Sequence, residues 1–429
     1  MIKDNRKTIN AWCSYDWANS VYNLIVTTAI FPVYYTATTR EAFGGDVVNF
    51  FGWQVDNTVI YSYAISLSFL ITVILYPILT GIADYSGVKK RFMRFFTYMG
   101  SAACIGLYFF KGNNIEYGVL LAMTASIGYA SSVVFYNAFL PEIASREKMD
   151  GVSARGFSMG YVGSVILLVI SLVLILNFDA FGFDSSSSAT RFVFLLVGIW
   201  WMGFAQIAFS HLQESKTGNS LGSEVLSHGI KEMIKVFKKL KEAASSKRFL
   251  YSFLFYSMGV QTVMLLAPLF GESEIGMEGD EMIFVVLILQ ILAIAGAYFF
   301  AFLSGKIGNK LAIVAAIFVW VLVCIGAYLA VGKITFYILA GFLGFVMGGI
   351  QSISRSTYSK LIPQDTEDTA SYFSFYDMTD KMAIVLGTAS FGLIEQLTGS
   401  MRNSVLFMIV FFAVGLIFIS KLNIKSEND

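Results

Sequence analysis

Apolar runs of about 20 residues recur along the whole chain, each closed by a short polar or glycine-containing break. An α-helix rises about 1.5 Å per residue, so a run of that length matches the roughly 30 Å hydrocarbon core of a bilayer. Twelve runs qualify: 11–38, 57–83, 92–110, 116–141, 152–176, 191–212, 249–270, 281–304, 310–331, 334–362, 370–397 and 402–421. The pattern predicts an all-α integral membrane protein with twelve transmembrane helices. The tightest reversal is expected at Gly305 and Gly308, between the eighth and ninth. The longest polar stretch, 213–248, divides the helices into six and six. It predicts a first bundle over 1–212, a linker over 213–248 and a second bundle over 249–429. Within the linker, Ile230, Met233, Ile234, Phe237 and Leu240 recur at helical spacing with lysines between them. That is an amphipathic helix, lying on the membrane surface or solvated as a plain linker.

Composition agrees. The chain is 56% hydrophobic and 14% charged, where soluble domains carry about 25% charge. The net charge of +1 says nothing about nucleic acid, but no basic face with interleaved aromatics supports that partner, so none is expected. Cys13, Cys104 and Cys324 are too scattered for a disulfide framework or a metal site, and no phosphate-binding loop occurs, so no metal or cofactor is expected. The pattern G-x-S-x-G does occur, from Gly156 to Gly160. A nucleophile elbow needs a strand-to-helix turn and a histidine partner. Here the motif lies inside a helical run, and His211 and His228 fall at or beyond the inner end of the sixth span, so no enzyme is expected.

Loop charge orients the chain. With the N-terminus inside, only Arg40, Lys111, Arg191, Lys333 and Arg402 of the 30 lysines and arginines fall to the outer side. That bias predicts both termini in the cytoplasm. Residues 1–10 are polar and basic, and the run after them is of spanning length, so no cleavable signal is expected. The expected location is a bacterial plasma (inner) membrane, as a multi-pass and monomeric protein.

Polar residues inside spans are costly and usually face a cavity. In the first span Asp16, Asn19, Ser20, Asn23 and Thr27 follow three- and four-residue steps, flanked by Tyr15 and Tyr22. Such a stripe offers a solute donors, acceptors and one titratable acid, with interhelical hydrogen bonding as the plain alternative. Asp16 is a candidate for proton coupling or a solvated cap. In the eleventh span Lys381 falls near the middle, four residues after Asp377, a spacing suited to an ion pair. Gln261 and Gln290 fall near the middle of the seventh and eighth spans. The substrate-binding candidates are therefore Asp16, Asn19, Tyr22, Asn23, Gln261, Gln290, Asp377 and Lys381.

The gating candidates begin with the short basic break at 81–91, which holds Gly81, Asp84, Gly87, Lys89, Lys90 and Arg91. Asp84 and Arg91 are expected to latch the inner gate. Arg355, near the inner end of the tenth span, is expected to hold a carboxylate or a helix C-terminus there. The halves also echo each other: Tyr136 to Pro141 ends the fourth span as Tyr358 to Pro363 ends the tenth, and 304–310 weakly repeats 81–91. Weak internal symmetry of two halves is a transporter signature, with the solute bound near the midplane.

The break at 81–91 resembles the loop between helices 2 and 3 of the major facilitator superfamily. Three further stretches resemble one branch of it, the vacuole-effluxer-like permeases related to the fungal autophagy amino-acid effluxer. They are Trp12 to Ser20, similar to a Y-D-W-A-N-S opening; Tyr136 to Ile143 followed by Val152 to Gly156; and Gly349 to Ser356 with Leu361 to Pro363 and Lys381. The second stretch adds Arg155 to the gating set. The resemblance implies a major facilitator fold of two pseudo-symmetric bundles and export of amino acids or similar solutes. Two departures stand out: Met258 replaces an acid on the seventh span, and Asp380 replaces a glycine before Lys381. The expected function is transport of a small polar solute by alternating access, amino acids and efflux favoured, with protons as a possible partner. Permeases for sugars, peptides or cell-wall fragments are the alternative, and a non-transporting sensor or scaffold is the second.

Overall fold

The computed structural model describes residues 2–214, 225–364 and 366–422. Of the expected linker, 215–224 lie outside the described residues. The chain begins with α1 (Arg6–Val21), which passes directly into a π-helical segment (Tyr22–Ala29) and then α2 (Phe31–Phe43). A hairpin of β1 (Val47–Phe50) and β2 (Trp53–Asp56) follows, antiparallel with Val47 opposite Asp56 and Phe50 opposite Trp53. The rest is helical: α3 (Asn57–Ser86), α4 (Lys89–Gly106), α5 (Ile115–Ala138), α6 (Leu140–Ile143), α7 (Met149–Leu176), α8 (Ser186–His211), α9 (Val225–Glu242), α10 (Ala244–Ile275), α11 (Gly279–Ile307), α12 (Asn309–Leu329), α13 (Lys333–Leu361), α14 (Thr369–Thr398) and α15 (Met401–Ser420).

All twelve expected spans are helical. Among the described residues, nine helices are long and apolar enough to cross a bilayer. The other three depart for identifiable reasons. The first run is interrupted at Tyr22, where the π segment begins, and restarts at Phe31 with a proline in its first turn. α4 opens with Lys89, Lys90, Arg91 and Arg94. α14 carries Asp377, Asp380 and Lys381 inside the helix. The reversal expected at Gly305 and Gly308 is present: α11 ends at Ile307, Gly308 takes φ +81°, and α12 starts at Asn309. The linker helix is present as α9, with the strongest amphipathic character of the long helices.

Contacts gather the chain into two compact units, one holding 6–137 and 162–230 and the other 2–5, 138–161 and 231 onward. In the first, α8 packs along α1 and α4. Its core is aromatic: Trp12 stacks on the Tyr136 ring at 4.4 Å, and Trp201 lies 5.6 Å from Tyr22. Aromatic pairs of this kind add about 0.5–1.5 kcal/mol each beyond area burial. In the second, α11 and α13 are the most intimate pair, while α10 packs on α14 and α15. The α11–α13 seam needs glycine. A methyl at Gly296 would strike the Phe345 carbonyl, one at Gly344 the Leu289 backbone, and one at Gly348 the Ala293 carbonyl. The first turns of α7, up to Tyr161, belong to this second unit.

Candidate functional site

In the first unit α1 presents its polar residues to two environments. Asp16 is buried and accepts a hydrogen bond from the Tyr136 hydroxyl at 2.7 Å. The Trp12 indole donates to the Tyr136 carbonyl at 2.9 Å, which fixes the ring that reaches Asp16. Asn19 is buried, and its amide nitrogen has no partner among the described residues. Tyr22 is buried between Tyr129 and Trp201. Asn23, by contrast, is exposed. The stripe thus changes from buried to exposed along its length, at the point where the helix passes into the π segment beginning at Tyr22. An exposed amide in mid-span is costly against lipid and suits a water-facing position.

In the second unit the polar centre lies where α10 meets α14. Gln261 donates its amide to one oxygen of Asp380 at 2.7 Å, and the Lys381 ammonium lies 3.1 Å from the other. Asp380 thus bridges two helices. Periodicity singles out Asp377 as a partner of Lys381; the structure adds Asp380, its neighbour in sequence, beside the ammonium. Asp377 sits one turn earlier and is buried. No spacing rule pairs adjacent residues on a helix, so the sequence does not join Asp380 to Lys381. Below this centre the Tyr256 hydroxyl meets Ser354 at 2.7 Å. Gln290 stands apart, half-buried on α11, with its amide oxygen without a partner among the described residues.

The gating candidates separate into distinct clusters. Gly81 abuts Gly229 of α9, whose carbonyl a methyl there would strike. Gly87 ends α3 at φ +68°, a left-handed conformation that glycine adopts without penalty. Asp84 is buried with Lys89, 4.0 Å from its ammonium. Arg91 is not part of that pair. It is exposed and engages Glu214 through its side chain at 3.2 Å and its backbone N–H at 3.1 Å. Arg155 is half-buried on α7. Arg355 is buried on α13. It donates to the hydroxyl of Ser153 at 3.0 Å and to its carbonyl at 2.9 Å, and its guanidinium lies 4.0 Å over the Phe157 ring.

That contact is part of a seam the sequence reading missed. Asp150, Ser153, Phe157 and Tyr161 lie on one face of α7 at three- and four-residue steps. Tyr161 donates to Gln351 at 2.7 Å, and Ser153 donates to the Ser352 carbonyl at 2.7 Å. Asp150 receives Ser304 at 2.8 Å, Asn309 at 2.8 Å and Lys360 at 2.7 Å. The signal was present in the spacing, and in the weak repeat at 304–310 that supplies Ser304 and Asn309. An acid in a first helical turn reads equally well as a dipole partner.

A pocket between α10, α11, α12 and α13 is lined by Val263, Phe270, Leu289, Phe336, Leu343 and other apolar side chains. It offers a polar solute no side-chain donor or acceptor. The α10–α14 centre does, and its charges persist inside a span because each has a partner.

A sequence model of the family described as vacuole effluxer Atg22 like matches residues 4–428. The uncharacterized MFS-type transporter YxiO of Bacillus subtilis is 30% identical over 430 residues, covering 100% of this chain and 98% of that protein. Autophagy-related protein 22 of Yarrowia lipolytica is 25% identical over 454 residues, covering 85% of this chain and 75% of its own. Among solved structures, the human organic anion transporter MFSD10 superposes with a TM-score of 0.73 at 11% identity, over 97% of this chain and 100% of that one. The major facilitator transporter FucP, in its outward conformation, gives 0.69 at 14% identity, again over 97% and 100%. The two structural likenesses establish the major facilitator fold.

Proposed function

Because the chain belongs to the vacuole effluxer Atg22-like family of membrane transporters, we propose that it moves a small zwitterionic solute, an amino acid in the first instance, outward by alternating access. That the protein is a multi-pass major facilitator transporter is the starting point; solute, direction and coupling are the proposal. The observation that carries it is Asp380 held between Gln261 and Lys381 near the middle of α14. A carboxylate and an ammonium whose opposite charges satisfy each other are matched to a solute bearing the same two groups. The solute carboxylate takes Lys381, and its ammonium takes Asp380. A proton on Asp380 removes its charge and releases Lys381 toward an anionic group, which gives a route for proton coupling. In the second unit Asp377 and Gln290 are assigned to solute handling beside this centre; in the first unit Asp16, Asn19, Tyr22 and Asn23 are assigned to it separately.

The same reading keeps a six-and-six organisation about the linker, both termini in the cytoplasm, supported by loop charge, and a bacterial inner membrane, supported by the Bacillus subtilis relative. It assigns Gly81, Asp84, Gly87 and Arg91, with Arg155 and Arg355, to closure of the inner side. The protein works as a monomer in this scheme.

The test is counterflow of a mixed amino-acid panel in proteoliposomes, with and without a pH gradient. Saturable exchange that Lys381→Gln abolishes supports the site. Acceleration by a gradient that Asp380→Asn uncouples supports the proton. If folded protein exchanges no amino acid, the solute class is wrong and sugars, peptides and cell-wall fragments come next.

A further inference from the structure

We propose that α9 is an interfacial helix that binds anionic phospholipid headgroups through Lys231, Lys238 and Lys241 while seating Ile230, Ile234 and Phe237 among the acyl chains.

The argument starts from the helix circumference at about 100° per residue. Three sectors result. Gly229, Val236 and Leu240 form one, and all three are buried. Ile230, Ile234 and Phe237 form the next, and they are 40%, 45% and 52% exposed. Lys231, Lys235, Lys238 and Lys239 form the third. A solvated linker helix needs only the first and third. An exposed apolar sector between a packed face and a cationic face is what a helix needs when protein, acyl chains and headgroups surround it in turn. Lys241, in the last turn, falls within the apolar sector and reaches the headgroup level along its own methylene stem.

Depth is fixed by two attachments, each within its own unit. In the first, Gly229 lies against Gly81, and His228 stacks on Tyr85 at 4.7 Å. α3 has 30 residues, about 45 Å, so centred on a core of about 30 Å it projects roughly 7 Å at each end. Gly81 is five residues before the end of α3, at about that depth. In the second unit, the Phe237 ring stacks on Phe375 at 5.8 Å, and Phe375 is six residues into α14, another helix of 30 residues. Both contacts set the α9 axis at the boundary between hydrocarbon and headgroups.

The charges then divide by use. Lys235 and Lys239 lie 3.3 and 3.6 Å from Asp368, and Lys235 also holds Glu232 at 2.6 Å. These ion pairs anchor α9 to α14. Lys231, Lys238 and Lys241 are exposed and point the charge complementarity outward. Cations at this depth meet lipid phosphates, and anionic lipid is favoured over zwitterionic lipid.

The test uses the full chain in nanodiscs. The native cysteines Cys13, Cys104 and Cys324 are buried, so single nitroxide labels at Ile234→Cys and Lys238→Cys report on α9. Power saturation should show the 234 label accessible to oxygen and shielded from an aqueous nickel chelate, with the 238 label the reverse. Spin-labelled phosphatidylglycerol should associate at least threefold more than spin-labelled phosphatidylcholine. Lys231→Gln, Lys238→Gln and Lys241→Gln together should abolish that preference. A 234 label open to the nickel chelate makes α9 a solvated linker and overturns the proposal. A 234 label shielded from both agents makes the face a protein contact and overturns it equally. An undiminished preference for phosphatidylglycerol in the triple variant removes the lysines from headgroup binding.

Discussion

Asp150, in the first turn of α7, holds its carboxylate 2.7 Å from the ammonium of Lys360 in the last turn of α13, and both side chains are nearly shielded from solvent. Two residues far apart in the chain close a buried cluster that also takes in Ser304 and Asn309. Removing one partner strands the other. We expect Lys360→Met to lower unfolding stability by about 3 kcal/mol, measured by denaturant unfolding in detergent. The double substitution with Asp150→Asn should cost less than Lys360→Met alone, because no charge is then left buried without its mate.

Tyr136→Phe keeps the stack on Trp12 and deletes only the hydroxyl that Asp16 accepts. A hydrogen bond to a charged group contributes about 1.5–3 kcal/mol. A loss in that range is expected in thermal or chemical unfolding. A change below 0.5 kcal/mol, roughly the scatter of surface substitutions, would mean that Asp16 is not held by this contact.

Gly81→Val should displace α9, since the new side chain meets the Gly229 backbone directly. Tryptic cleavage at the α9 lysines is expected to accelerate severalfold. Gly305→Val is the matched control, because the space around Gly305 is open, and its cleavage rate should be unchanged.

The N-terminus supplies a pH prediction. Asp4 accepts the Ser145 N–H at 3.0 Å and faces Lys148 at 3.2 Å. These contacts, the backbone N–H first, hold its pKa below the ordinary 3.8. The sign follows from linkage: a carboxylate with a depressed folded pKa contributes fully above its unfolded value and loses that contribution as pH falls through the folded one. Hydrogen exchange at the Ser145 amide should therefore be pH-insensitive in its opening equilibrium above about pH 5 and rise below pH 4. Asp4→Ala should open that amide at every pH.

The spans were legible because apolar length is a one-dimensional property, and so was the Gly308 reversal. α9 was legible because its lysines and apolar residues keep helical period. The partners were not. Lys381 has an acid four residues before it and another immediately before it, and helical period points only to the first; the contact of the second with Lys381 and with Gln261 of α10 is a matter of three-dimensional placement. Asp150 falls just outside the expected span 152–176, and its partners come from the start of α12 and the end of α13. Asn23 keeps step with Asp16 and Asn19 in sequence, yet it is exposed where they are buried. In each case the missing information is the arrangement of neighbouring helices, which periodicity along one segment does not contain.

The glycine seam between α11 and α13 has a mechanical consequence. At Gly296, Gly344 and Gly348 the two helices meet backbone to backbone, so their spacing there is set by main-chain atoms and leaves no room for even one added methyl. A larger residue at any of the three acts as a wedge, and the separation of α11 and α13 would have to grow to admit it.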